Sequence, residues 1–238
     1  MSSTYGRTSF GYLWAILEPV AAIALLSLVF SAALRSPGLG TSFPLYYASG
    51  LLPYLAFGEI STKVSQSLRF SKPLLAFPAI TYVDPFLARG LLGSVVHLVI
   101  GAIVLISIIM IFNLDVFLDL YQIFLGYVMS FFLGFSVGIM NGFLFMKFPF
   151  WERIWGVLTR PLVFVSCIFF LFETVPEPYR DILWYNPLVH VVGKIRQGVY
   201  GTYEPGYLSV YYVLGISLIL TALGLLLIRG HYRDLIHR

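Results

Sequence analysis

Gly90-Leu-Leu-Gly-Ser-Val-Val-His-Leu-Val-Ile-Gly-Ala-Ile-Val-Leu-Ile-Ser-Ile-Ile-Met-Ile-Phe-Asn-Leu114 runs for 25 residues without an Asp, Glu, Lys or Arg. A helix rises about 1.5 Å per residue and a bilayer's hydrocarbon core is about 30 Å thick, so roughly 20 apolar residues cross it. This stretch therefore reads as a membrane-spanning helix. Working outward, Leu120–Met146 is a second long uncharged run, and Pro205–Ile228 a third. Towards the N-terminus, Ser36–Gly58 is uncharged but contains Pro37, Pro44 and Pro53, which places a helix start near Pro44. Tyr12–Leu34 is apolar apart from Glu18. It is too long for a signal-peptide core, and no clear small-residue cleavage site follows, so it is read as a retained span.

One segment breaks the pattern. Pro161–Phe172 is uncharged but short, and reaches spanning length only by borrowing Ile154–Thr159. The expected fold class is an all-α integral membrane protein with six transmembrane helices. The spans fall at about 12–34, 44–62, 86–112, 119–146, 153–172 and 206–228, in one transmembrane domain covering 1–238. Asp84-Pro85 is read as the start of the third span, Asp as N-cap and Pro at the first helical position.

Composition supports this. The chain is 59% apolar and only 11% charged, against roughly 45–50% and 25% for soluble domains; its mean hydropathy is +0.87. An ordinary water-soluble enzyme, a disordered chain and a nucleic-acid binder are excluded. Cys167 is the only cysteine, which excludes intrachain disulfides and cysteine-rich zinc sites. The formal charge of +4 is a topology signal, because Lys and Arg gather on the cytoplasmic side of spans. With a cytoplasmic N-terminus, 11 basic residues fall inside and 4 (Arg35, Arg180, Lys194, Arg196) outside. Both termini are therefore expected in the cytoplasm.

After the fifth segment comes Thr174-Val-Pro-Glu-Pro-Tyr-Arg180, dense in proline. Two apolar pieces follow, Ile182–Tyr185 and Leu188–Tyr200, separated by Asn186-Pro187, and neither is long enough to span. They read as a re-entrant or interfacial hairpin at the outer face, residues 176–200. Irregular backbone at membrane depth is tolerated beside protein or a watery cavity, so the hairpin is expected to border a cavity. An interfacial cap without a gating role is the plainer alternative. At the opposite face, the loop 63–80 holds Val64, Leu68 and Leu75 on one side of a possible short helix, with Arg69 and Lys72 offered to water and Pro73 limiting its length. Such a helix suits lipid headgroups or a cytoplasmic partner.

Chemistry is sparse. There is no G-x-x-x-x-G-K-[ST], so no nucleotide phosphate is cradled in that way, and no H-E-x-x-H. A nucleophile elbow of the G-x-S-x-G kind is likewise not expected. His97, His190, His231 and His237 are too scattered to suggest a metal site. Glu18, followed by Pro19, is the one carboxylate well inside a span. Such an acid faces water or a partner, so it reads either as the inner mouth of a pathway or a helix contact, or as an acid near the headgroups paired to a base. Arg89 reads as snorkelling to headgroups, with a pathway role as the alternative. Tyr12, Trp14, Trp151, Trp155, Trp184, Tyr211 and Tyr212 sit near span ends, as interfacial anchors do. Rings would also suit a path for sugar chains.

Two stretches carry a resemblance. Arg7-Thr-Ser-Phe-Gly11-Tyr-Leu-Trp-Ala-Ile-Leu-Glu18-Pro19 resembles the opening motif of ABC-2 type permeases that export polysaccharides. Phe169-Phe-Leu-Phe-Glu173-Thr-Val-Pro-Glu-Pro-Tyr-Arg180-Asp-Ile-Leu-Trp-Tyr-Asn186-Pro-Leu-Val-His190 is similar to the segment after the fifth helix in the capsular-polysaccharide branch, and Lys72-Pro-Leu-Leu-Ala-Phe77-Pro78 with Asp84-Pro85 also fits. Ten residues precede Gly11, where the family usually carries a longer segment with an amphipathic interface helix, so no inner gate helix is assigned.

The resemblance implies a permease subunit without its own ATPase site. It works as a homodimer with two copies of a cytoplasmic ATP-binding subunit, which binds the ATP and Mg. Localisation is the bacterial inner membrane. The cargo would be a capsular polysaccharide, often acidic and lipid-linked, passed to periplasmic and outer-membrane export proteins. By the same resemblance Val64, Leu68, Arg69 and Lys72 belong to the coupling helix, and Tyr12, Trp14 and Glu18 to the channel or its inner mouth. Pro176, Tyr179, Trp184, Tyr185, Asn186, Pro187, Lys194 and Arg196 then form the outer gate and cargo contact. Lys194 and Arg196 would meet an acidic cargo, or alternatively outer-leaflet headgroups. Rival readings are an ABC-2 permease for O-antigen, teichoic acid or another cargo, a secondary transporter, and a membrane enzyme acting on lipid-linked sugars. A secondary transporter predicts buried carboxylates and repeats, of which only Glu18 partly qualifies.

Overall fold

A computed structural model describes residues 11–71 and 81–237, the side chains of 11–13 and 232–237 excepted. The described chain is helical, without strands: α1 (Gly11–Ala33), α2 (Phe43–Ser65), α3 (Ser67–Ser71), α4 (Asp84–Ile111), α5 (Leu120–Lys147), α6 (Pro149–Leu162), α7 (Tyr179–Trp184), α8 (Pro187–Val199) and α9 (Val210–His237). Short 3-10 turns at Phe164–Ser166 and Phe172–Thr174 separate α6 from α7.

Four helices are long and apolar enough to cross a membrane: Trp14–Ala33, Asp84–Ile111, Leu120–Lys147 and Val210–His231. The chain is a multi-pass membrane protein. α2 has the length, at 23 residues, but its Ser, Thr, Gly and Pro residues with Glu59 and Lys63 dilute its hydropathy. The fifth segment, expected as one span over 153–172, is not one helix. α6 ends at Leu162, one residue after Pro161, whose missing N–H leaves the Val157 carbonyl without its helical partner, and Cys167 turns into the left-handed region at φ 56°.

Local chemistry sets the other boundaries. Ser42 caps α2 by accepting from the Leu45 N–H, with Pro44 in the first turn. Asp119 caps α5, its carboxylate accepting from the Tyr121 and Gln122 N–H groups at 3.0 and 3.2 Å. α4 begins at Asp84 with Pro85 in its first turn, but the cap position falls one residue earlier, on Val83. The Asp84 carboxylate instead accepts from the Thr81 N–H at 2.7 Å.

α5 is the central post, packed on α2, α8 and α9. In lipid, helix association rests on close packing and polar contacts more than on apolar burial. Gly134 and Gly138, four apart on α5, provide the close approach: a Cβ at Gly134 would meet the Phe57 carbonyl oxygen at 2.9 Å, and one at Gly138 the Ser61 carbonyl oxygen at 2.9 Å. Ser130 Oγ adds a bond to the Pro53 carbonyl at 2.7 Å.

Candidate functional site

The proline-rich turn and the two short helices after it are tied to the rest of the fold by side-chain hydrogen bonds. α8 is buried on nearly every face, with Leu188, Val189, Val191, Val192, Ile195 and Val199 packed against α5 and α2. Asn186 starts it. Its Oδ1 accepts from the Leu188 N–H at 3.1 Å, while its Nδ2 donates to the Val165 carbonyl at 2.8 Å. Pro187 follows in the first turn. Trp184 donates from Nε1 to the Tyr207 carbonyl at 3.1 Å and lies edge-on to His190. The hairpin is thus tied to the segment before α9. Pro176, Tyr179 and Tyr185 are exposed at its rim.

Arg196 corrects the expectation of a cargo contact. It is 1% exposed. Its guanidinium donates to the carbonyls of Cys167 and Ile168, both at 2.7 Å, and of Phe170 at 3.2 Å, and lies over the Tyr46 ring at 4.3 Å. The broken segment leaves those carbonyls without helical partners, and Arg196 supplies the donors. Lys194 sits nearer the surface, donating to Gln197 at 3.0 Å. Burial pushes its pKa down, with Asp119 opposing the shift. Tyr203 donates to both Glu173 carboxylate oxygens, at 3.0 and 3.1 Å. Its pKa is raised by burial first and then by Tyr207 and Glu173.

The loop expected to couple to a partner divides. Val64 lies within α2, and both Val64 and Leu68 are buried against Phe86, Ile139, Phe143 and Ile228. They hold the bundle together and are not available for docking, a correction that follows from α2 continuing to Ser65. Arg69 is exposed and pairs with Glu152 of α6 at 3.4 Å; Phe70 is the exposed apolar residue beside it. Lys72 lies outside the described residues. α6 is itself strung between neighbours: Trp151 Nε1 donates to Asn141 Oδ1 at 3.1 Å, and Tyr54 Oη to the Thr159 carbonyl at 3.2 Å.

Of the residues placed at the channel or inner mouth, Trp14 is exposed and Glu18 lines a cavity of about 560 Å³ between α1, α2 and α4. Tyr12 is in α1, its side chain outside the described ones. The same cavity holds a group that sequence reasoning missed: Glu59, which pairs with Lys63 one turn on and with His97 Nε2 at 2.5 Å. The i, i+4 spacing of Glu59 and Lys63 was available as a signal; His97, a span away, was not.

Enzymatic features are thin. The expectation that the letters G-x-S-x-G are missing is corrected: they occur at Gly134-Phe-Ser136-Val-Gly138, but in mid-helix, with Ser136 Oγ bonded to the Leu133 carbonyl at 2.9 Å. That is not the strand-to-helix elbow the chemistry requires. Among the described residues no three His, Cys, Asp or Glu side chains gather as a metal site.

Long apolar helices around a glycine-faced post, with a short buried helix hung behind a broken segment, define a multi-pass membrane protein. The family model for ABC-2 type transporters matches residues 1–200, and the chain belongs to that family. It is similar to the polysialic acid transport protein KpsM of Escherichia coli, 28% identical over 225 residues, covering 94% of this chain and 87% of that one. It is also similar to the capsule polysaccharide export inner-membrane proteins CtrC of Neisseria meningitidis, 23% identical over 94% of this chain and 84% of that one, and BexB of Haemophilus influenzae, 21% identical over 95% and 85%.

Proposed function

We propose that this chain is the inner-membrane permease subunit of an ATP-driven exporter of capsular polysaccharide. The observation that carries the reading is the end-to-end likeness to KpsM, 94% of this chain against 87% of that one, with the same likeness to two proteins of capsule export. The chain contains no P-loop motif, so the power stroke is assigned to a separate ATPase subunit that binds ATP and Mg.

In this reading two copies of the chain flank one channel, with both termini in the cytoplasm. The four long helices, α2 and the broken segment from α6 to Thr174 make six crossings. α7 and α8 form the re-entrant hairpin at the outer end, and their exposed rings, Tyr179 and Tyr185, offer faces for sugar C–H groups. The exposed Arg69 and Phe70 on α3 are the surface offered to the ATPase. The Arg69–Glu152 pair carries motion from α3 to α6, and the Tyr54 and Trp151 bonds carry it on to α2 and α5. The cargo is lipid-linked and passes to periplasmic and outer-membrane export proteins.

Co-expression with a candidate ATPase tests this. The two should co-purify, ATP hydrolysis should differ with and without the permease, and cells lacking their own capsule permease should regain surface polymer. Failure to associate with any such ATPase, or transport by this chain alone on an ion gradient, overturns the reading.

A further inference from the structure

The cavity between α1, α2 and α4 presents two opposite charges that the described protein leaves unneutralised. Arg89, from the second turn of α4, makes no hydrogen bond or ion pair with any described residue and lies 5.8 Å from the centre of the Phe70 ring. Glu18, on α1, makes no hydrogen bond or ion pair with any described residue, and the two do not pair with each other. The remaining charged groups facing the cavity are committed, since Glu59 is held by Lys63 and His97. An ionised side chain at membrane depth is kept there by a partner or by water. One molecule bearing both an anion and a cation would serve both walls at once.

We infer that this cavity binds the headgroup of a zwitterionic phospholipid carrying a phosphodiester and a primary ammonium. Arg89 takes the phosphate, as a planar guanidinium does best, and Glu18 takes the ammonium. Thr62 and Gln66 line the polar end, while Leu52, Leu55 and Ile100 line an apolar wall for the glycerol and upper acyl chains. The volume, about 560 Å³, lies within the usual range for small-ligand sites. An anionic lipid with a glycerol headgroup would satisfy Arg89 and leave Glu18 alone. The site concerns a resident lipid and does not depend on the polymer exported.

Native mass spectrometry of the full chain from nanodiscs containing equal amounts of phosphatidylethanolamine and phosphatidylglycerol tests the site. Wild type should retain the ethanolamine lipid at least about fivefold over the glycerol lipid, a coupling of ordinary size for one charged contact. Glu18→Gln should abolish that preference while lipid is still retained, and Arg89→Gln should release both. Equal retention by wild type, or an undiminished preference in Glu18→Gln, overturns the inference. So does full displacement by soluble glycerophosphoethanolamine, which would make the occupant a water-soluble headgroup compound. The wild-type comparison decides the matter even if a variant fails to fold.

Discussion

Arg196 on α8 donates to the Ile168 carbonyl at 2.7 Å, 28 residues earlier in the chain. Through that bond and those to Cys167 and Phe170, one buried cation holds the irregular backbone where the fifth segment breaks. Hydrogen bonds to a charged group contribute about 1.5–3 kcal/mol each, and a buried acceptor left without its donor costs about 1–3 kcal/mol. Arg196→Met strips three carbonyls of their donor and should therefore destabilise the protein by about 3 kcal/mol or more. Thermal unfolding in detergent measures it. A variant as stable as wild type would mean that water replaces the guanidinium at no cost.

Gly134 is one of the points of close approach between α5 and α2. A Cβ there meets the Phe57 carbonyl oxygen at 2.9 Å, and backbone cannot swing aside as a side chain can. Gly134→Val should force the helices apart and cost about 1–3 kcal/mol or more, as overpacking does. Gly215→Ala on α9, where an added Cβ meets nothing within 4 Å, is the matched control and should be neutral or slightly stabilising. Monodisperse yield and melting temperature of the two variants check the contrast.

The long spans were legible because an uncharged run of 20 or more residues has few other physical explanations. The fifth segment was legible as an anomaly, through its length and Pro161, but not in its shape. The carbonyl at the left-handed turn of Cys167 is met by Arg196, a partner that no local pattern names. Val64 and Leu68 were misplaced for a related reason. Their apolar spacing marks a buried face, and sequence alone does not say whether the bundle or a partner covers it. Arg196 was read as exposed because it lies in a short, proline-flanked hairpin, where a basic residue usually meets water or headgroups.

The Arg69–Glu152 pair separates a stability role from a coupling role. Both side chains are largely exposed, 59% and 38%, and such pairs contribute at most about 1 kcal/mol. Arg69→Glu should therefore leave the melting temperature nearly unchanged. If α3 meets the ATPase as proposed, the same change should lower export severalfold and weaken the effect of the permease on ATP hydrolysis. Partial recovery in Arg69→Glu with Glu152→Arg would point to the internal pair, and no recovery to the partner surface. Undiminished export by Arg69→Glu would count against α3 as the coupling element.

His190 gives a pH dependence with a definite sign. Its Nε2 donates to the Trp184 carbonyl at 2.9 Å and its Nδ1 accepts from the Ser209 N–H at 3.2 Å, an arrangement that needs the neutral ring. Burial pushes its pKa below the ordinary 6.5, against the pull of the Trp184 carbonyl. Above that ordinary value neither state is protonated, and the bonds contribute in full. As pH falls through it, the unfolded chain takes up a proton before the folded one does, so stability declines until the folded ring also titrates. Each unit of depression is worth about 1.4 kcal/mol. Melting temperature should thus drop between about pH 7 and pH 5, and the part owed to His190 is read as the difference from His190→Gln. That variant cannot charge and should lose less stability over the same interval, while starting lower at neutral pH because one bond is weakened. Parallel melting curves for the two proteins would show that His190 takes up its proton in the folded state as readily as in water.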